Sequence, residues 1–335
     1  VLGGLQLPVL VSSYKAPPLL FSGHLQTVAA NFRRSSPEVV YRRERITTED
    51  GDFLDLDWSP LGSSSLAVIS HGLEGSSRRP YVLGMVRALN RAGWDALAWN
   101  FRGCGGQINR RLRFYHSGAT EDLGAVVDHA LAEGRYRRAA LIGFSLGGNM
   151  TMKYLGEMGG GGHVALVGGV AFSVPCDLAC GAQRSELRQN RMYMRRFLKM
   201  LHEKIRTKML IMPGQIDDEG YGRIKSFRDF DERYTAPFHG FADAEDYWAK
   251  ASARPWLTRI AVPALMVNAL DDPLLGAGCF PWAEARENPC FHLETPAHGG
   301  HVGFLSFEGD GACWSERRAV EFLNSCPERA ARPGE

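Results

Sequence analysis

The segment "GFSLG", Gly143 to Gly147, sets Ser145 between a short apolar run, Ala139 to Phe144, and helix-favouring residues that begin at Leu146. Where a strand hands over to a helix, this pattern can present a serine nucleophile. Glycines on either side let the backbones approach, and the free N–H groups of the new helix point at whatever the serine attacks. The bare pentapeptide also occurs in ordinary turns, so the case rests on its surroundings.

A serine needs a general base, and the base needs a carboxylate to orient it. After a strand-to-helix serine these partners are expected in the order Ser, Asp, His, each at the end of a later strand. "ALMVNAL" (264–270) runs into Asp271 and Asp272, and "AHGGHVGF" (297–304) carries His298 and His301. Residue type and order do not choose within either pair. The developing oxyanion requires two backbone donors. The Leu146 N–H follows the serine, and the loop "SHGLEGSS" (70–77) offers the Leu73 N–H. His71 precedes the serine in the chain, so it is read as ordering that loop and as a residue that could line the pocket. His116 and Arg102, on the segment after "DALAWNF" (95–101), are expected to line the same pocket.

These groups need a scaffold, and the hydrophobic pattern supplies one. "VVYRRERIT" (39–47) and "FLDLDW" (53–58) flank a turn with Asp-Gly, as in a hairpin. "LAVIS", "DALAWNF", "AALIGF" and "VALVGGVAFSV" are strand-like and alternate with helix-like stretches near 81–92, 121–132 and 148–157. Such alternation reads as a mostly parallel sheet with helices on both faces. From Cys176 to about Ile260 the strand pattern stops, while Met194, Phe197, Leu198, Leu201 and Ile205 fall at helical spacing. Alternation resumes with "VPALMVNAL" and "CFHLETP" and ends in a helix near 316–324. The expected division is an N-terminal arm (1–37), an α/β core (38–175 and 261–335) and a helical cap (176–260). An insertion there would cover the strand C-termini, where ligands bind in open α/β sheets.

Composition narrows the function classes. A net charge of +2 over 335 residues gives no reason to expect a nucleic-acid partner. Seven cysteines, an odd count without C-x-x-C spacing, argue against a disulfide framework and a zinc site and favour a reducing, cytoplasmic setting. No apolar run reaches the roughly 20 residues of a membrane helix. The sequence opens at Val1, which leaves the native start and a leader peptide open. "RQNRMYMRRFLKMLHEKIRTK" (188–208) carries eight basic residues against one acidic residue beside an apolar stripe. It reads as a cap helix with a solvated basic face, and alternatively as a surface for anionic lipid or another interface.

Several longer motifs give a more specific match. "GHLQT" (23–27), "HGLEGS" (71–76), "NFRGCGGQINR" (100–110), "YHSGATEDL" (115–123), "GFSLGGN", "YTAPFHGFADAEDYW" (234–248), "NALDDP" and "GGHVGF" together resemble the α/β-hydrolase fold. Within it they resemble the AB hydrolase 4 family of YheT-like and ABHD-type serine hydrolases, over most of the chain. The resemblance implies a triad of Ser145, Asp271 and His301. It places "GHLQT" on an arm packed against the core and the 234–248 motif in the cap. His24 and His239 are then structural or pocket-lining. The implied activity is a serine carboxylesterase for short- to medium-chain esters, with no metal or organic cofactor. A phospholipase, thioesterase, peptidase or acyltransferase would use the same triad, and a non-catalytic binding scaffold is the reading from another class.

Overall fold

The computed structural model describes residues 8–33, 38–306 and 311–329. Its strands are β1 (Val9–Leu10), β2 (Arg42–Thr47), β3 (Phe53–Ser59), β4 (Ser65–Ser70) and β5 (Asp95–Asn100). They are followed by β6 (Arg138–Phe144), β7 (Leu166–Phe172), β8 (Ala264–Val267) and β9 (Phe291–Glu294). Helices α1 (Gly23–Arg33), α2 (Pro80–Arg91), α3 (Thr120–Leu131) and α4 (Leu146–Met158) precede the gap in the strand pattern. Within it lie α5 (Leu178–Ser185), α6 (Arg191–Ile211), α7 (Phe227–Phe230), α8 (Ala236–His239) and α9 (Ala244–Ala251). Helices α10 (Trp282–Glu287) and α11 (Trp314–Ser325) close the chain.

All nine strands form one sheet in the order β1-β9-β8-β7-β6-β4-β5-β3-β2. From β1 across to β5 neighbouring strands are parallel; β3 and β2 add an antiparallel edge. The apolar runs read as central strands are buried on both faces, as strands covered by helices must be. One face packs on α2 and α11 through Val82, Met85, Leu89, Phe322 and Leu323. The other packs on α3 and α4 through Leu123, Val126, Met150 and Leu155. Burying each such side chain contributes about 1.5–3 kcal/mol.

Two features place the site. After β5 the chain passes over β4 and lays β6 on its far side, so the C-terminal ends of β4 and β6 border the crevice where connections change direction. No strand among the described residues lies between β7 and β8, and the intervening helices build small cores of their own. One joins Met194, Leu198, Leu201 and Ile205 to Phe230 and Tyr234; another joins Leu178 to Tyr247 and Trp248.

The segment before β2 contributes to the sheet. Val9–Leu10 pairs in parallel with Leu293–Glu294 and becomes an edge strand. Two residues are too few to show any period in a sequence, so nothing marked this strand in advance.

Candidate active site

Ser145 stands between β6 and α4 with φ +52° and ψ −118°, a conformation that costs a non-glycine residue about 1–3 kcal/mol. Its N–H donates to the Phe172 carbonyl at 2.9 Å, which ties the turn to β7. Close packing explains both glycines of the motif. A Cβ on Gly143 would lie 2.4 Å from the Gly147 carbonyl oxygen, and one on Gly147 would lie 2.3 Å from that of His71. The second clash shows that the serine turn and the loop after β4 are pressed together. Gly72 confirms it, since its Cβ would sit 3.3 Å from the Ser145 Cβ.

His301 Nε2 lies 2.8 Å from Ser145 Oγ, so the ring can accept the hydroxyl proton. Its Nδ1 lies 2.9 and 3.1 Å from the two oxygens of Asp272. The carboxylate behind the histidine is therefore Asp272, not Asp271 as the family resemblance implied. Asp271 is turned to a different task. Its Oδ1 accepts the Gly300 N–H at 2.9 Å, and its Oδ2 lies 3.1 Å from His298 Nδ1. It anchors the loop that carries His301, and His298 sits at the outer end of that anchor with its side chain 45% exposed. The Asp272 side chain is fully buried and also accepts the Leu274 N–H at 2.9 Å. Adjacent residues at a strand end point in different directions, and only the turn beyond β8 decides which meets the histidine.

The histidine loop is braced by the arm. Its N–H donates to Thr27 Oγ1 at 2.8 Å, and that hydroxyl donates to the Gly23 carbonyl at 2.7 Å. Gly23 packs so closely that a Cβ there would lie 1.8 Å from the Asp271 carbonyl oxygen. The "GHLQT" motif is thus the footing of the His301 loop. His24 in the same motif contacts α6, stacking on Tyr193 with its Nδ1 3.1 Å from that hydroxyl.

Leu73 and Leu146 face the same cavity as Ser145 and His301. Leu146 opens α4, where an N–H has no intrahelical acceptor. On either side of Leu73, the Gly72 N–H donates to Tyr81 OH and the Glu74 N–H to Tyr115 OH. Neither the Leu73 nor the Leu146 N–H is matched to an acceptor among the described residues.

Two expected lining residues lie elsewhere. Arg102 is 2% exposed and bonds both oxygens of Asp122 while reaching Asp50 and Asp52, so it fastens the β2–β3 turn to α3. The sequence showed its proximity to the strand ends but not the acidic turn that captures it. His71 lies beneath the loop. Its Nδ1 contacts the Gly72 carbonyl at 2.8 Å and its Nε2 accepts the Phe101 N–H at 3.2 Å. Burial drives its pKa down to about 3, which keeps the ring neutral and the loop–strand link intact. His116 does line the cavity, edge-on to His239, which lines it too. Burial pushes both imidazoles below the usual histidine range.

The cavity lies between the helices after β7 and the C-terminal ends of the central strands, with Leu178, Phe197, Leu201 and Ile205 among its lining residues beside the serine. Its walls are mainly apolar, as a site for an uncharged organic group should be.

The description "Alpha/beta hydrolase family" matches residues 67–311, most of the chain. The chain belongs to the alpha/beta hydrolase family. This hydrolase is 36% identical to YheT of Escherichia coli (strain K12), which bears an esterase name, over 288 residues and 84% of each chain. It is 32% identical to mouse Phospholipase ABHD3 over 310 residues, covering 89% of this chain and 74% of that one. Among solved structures, the Pyrococcus furiosus esterase Pf2001 aligns with a TM-score of 0.59 at 20% identity, covering 86% of this hydrolase and 92% of that chain. At that identity the likeness speaks for the fold.

Proposed function

We propose that this hydrolase cleaves carboxylic esters through a covalent acyl-enzyme. The observation that carries the reading is the continuous line from Ser145 Oγ through His301 to Asp272. Ser145 Oγ attacks the ester carbonyl while His301 Nε2 takes its proton. The Leu73 and Leu146 N–H groups hold the oxyanion, and Asp272 keeps Nδ1 protonated and supports the charged ring. Collapse expels the alcohol, which leaves with the proton from His301. Water then enters, His301 accepts a proton from it, and hydrolysis releases the acid and restores the serine. Asp271 enters this scheme only as the anchor of the histidine loop. The names of YheT and ABHD3 support an ester-cleaving reading, and the apolar cavity supports short- to medium-chain acyl groups.

A fluorophosphonate probe is expected to label the folded protein at Ser145, together with turnover of p-nitrophenyl esters graded by acyl length. A folded sample that takes no label and cleaves no ester would instead favour a binding scaffold.

One observation favours a lipid-like ester as the substrate. Phe21, Leu25, Leu187, Met192 and Leu270 are exposed apolar residues on segments that meet one another beside the histidine loop. The contacts are His24 with Tyr193 and Asn190 with the Pro273 carbonyl. Arg188, Arg191, Arg195 and Arg196, on the same part of the cap, are exposed and carry no ion pair among the described residues. Exposed apolar side chains together with arginines that have no ion pair among the described residues suit an anionic bilayer surface. Among the described residues no helix is long and apolar enough to cross a membrane, so such contact would be peripheral. The protein is expected to sediment with phosphatidylglycerol-containing vesicles at low salt and not with phosphatidylcholine alone. Charge reversal of the four arginines should abolish this. Failure to bind either vesicle would remove the membrane reading and leave ester hydrolysis standing. The seven cysteines are free thiols, which supports the proposal of a reducing, cytoplasmic compartment.

A further inference from the structure

Two lysines of α6 point away from its basic outer face, and one of them reaches the loop that carries an oxyanion donor. Lys204 Nζ lies 2.7 Å from Glu74 Oε1, with the two side chains only 8% and 9% exposed. The same ammonium sits 3.1 Å from Cys104 Sγ and 4.6 Å from the centre of the Tyr115 ring. Glu74 is held at every polar atom but one. Its N–H donates to Tyr115 OH at 2.8 Å, Tyr115 OH donates to Oε1 at 2.6 Å, and Arg79 donates to its carbonyl at 2.7 Å.

That grip falls on a strained residue. Gly72 to Gly75 form a tight turn closed by the Gly75 N–H on the Gly72 carbonyl at 2.9 Å. Glu74, its third residue, has φ +50°, a conformation usually left to glycine or asparagine. Leu73 lies between the closing Gly72 and this held residue. If Glu74 relaxed toward negative φ, the peptide plane beside the Leu73 amide would have to turn. Phe197, Leu201 and Ile205 of α6 line the cavity alongside Lys204, so the surface that would touch substrate also carries the tether.

We propose that Lys204 is a positioning residue that, through Glu74, holds the Leu73 N–H aimed at the oxyanion. The hole is then complete only when α6 is seated on the core, and seating of the cap over a bound ester assembles it. This inference rests on the ester-hydrolase reading and adds to it the regulation of the oxyanion loop by the cap.

The test compares wild type, Lys204→Met and Lys204→Met/Glu74→Gln on one p-nitrophenyl ester, with a trifluoromethyl ketone whose adduct places an oxyanion in the hole. The double variant leaves no buried carboxylate without its cation, which guards against simple misfolding. Outright loss of an oxyanion donor costs roughly 100- to 1,000-fold in kcat. A misaimed donor should cost about 10- to 100-fold in both variants, with KM little changed and ketone affinity falling in parallel. Folded variants that keep wild-type kcat and ketone affinity, whatever their thermal stability, would overturn the proposal. A wild type that neither turns over ester nor takes a fluorophosphonate would instead overturn the reading beneath it.

Discussion

Ser145→Ala and His301→Ala are each expected to lower kcat on a p-nitrophenyl ester by roughly a millionfold, with the fold unchanged. In the proposed mechanism the two groups act as a unit. With Nε2 2.8 Å from Oγ, the serine without the ring has no proton acceptor, and the ring without the serine has no nucleophile to activate. Their double variant should therefore be no worse than either single change. Residual turnover would come from binding and the oxyanion donors alone. His298→Ala is the internal control, because that ring is turned to Asp271 and is nearly half exposed. It should change kcat only a few-fold, on the order of 1 kcal/mol or less. Steady-state kinetics on purified, folded variants decide the point, and a His298 variant as damaged as the His301 variant would move the base.

The second large effect separates two neighbouring carboxylates. Asp272→Asn is expected to reduce kcat by about ten-thousandfold, the scale of the same change in a serine protease triad. The amide can donate to Nδ1 and so favours the tautomer in which Nε2 carries the proton, unable to accept one from Ser145. Asp271→Asn should be mild. Its amide oxygen can still accept the Gly300 N–H, now satisfied by Oδ1 at 2.9 Å, so the loop stays anchored. Comparable kinetics for both variants, or the reverse ranking, would return the acid to Asp271.

That pair also marks where reading the chain reaches its limit. The elbow at Ser145 was legible because its glycines, the strand before it and the helix after it are local features. The order of later partners was legible because strand-end positions recur. The choice between Asp271 and Asp272 was not, since it depends on a turn in which the Asp272 N–H donates to Ala269 and on the arm pressing Gly23 against Asp271. His71 and Arg102 could not be told from lining residues in the sequence, because their partners are Phe101, just past β5, the β2–β3 turn and Asp122 of α3. Lys204 carried a readable signal that charge obscured. It lies three residues after Leu201 and seven after Phe197, so helical spacing already put it on the inward stripe.

The bond from the His301 N–H to Thr27 spans 274 residues of chain. During synthesis the serine turn can close on itself well before the segment carrying its base has left the ribosome. Thr27, made well before His301, can brace the histidine loop only once it arrives. A nascent chain would thus hold Ser145 without its proton acceptor until the loop at 297–304 meets the segment at 23–27.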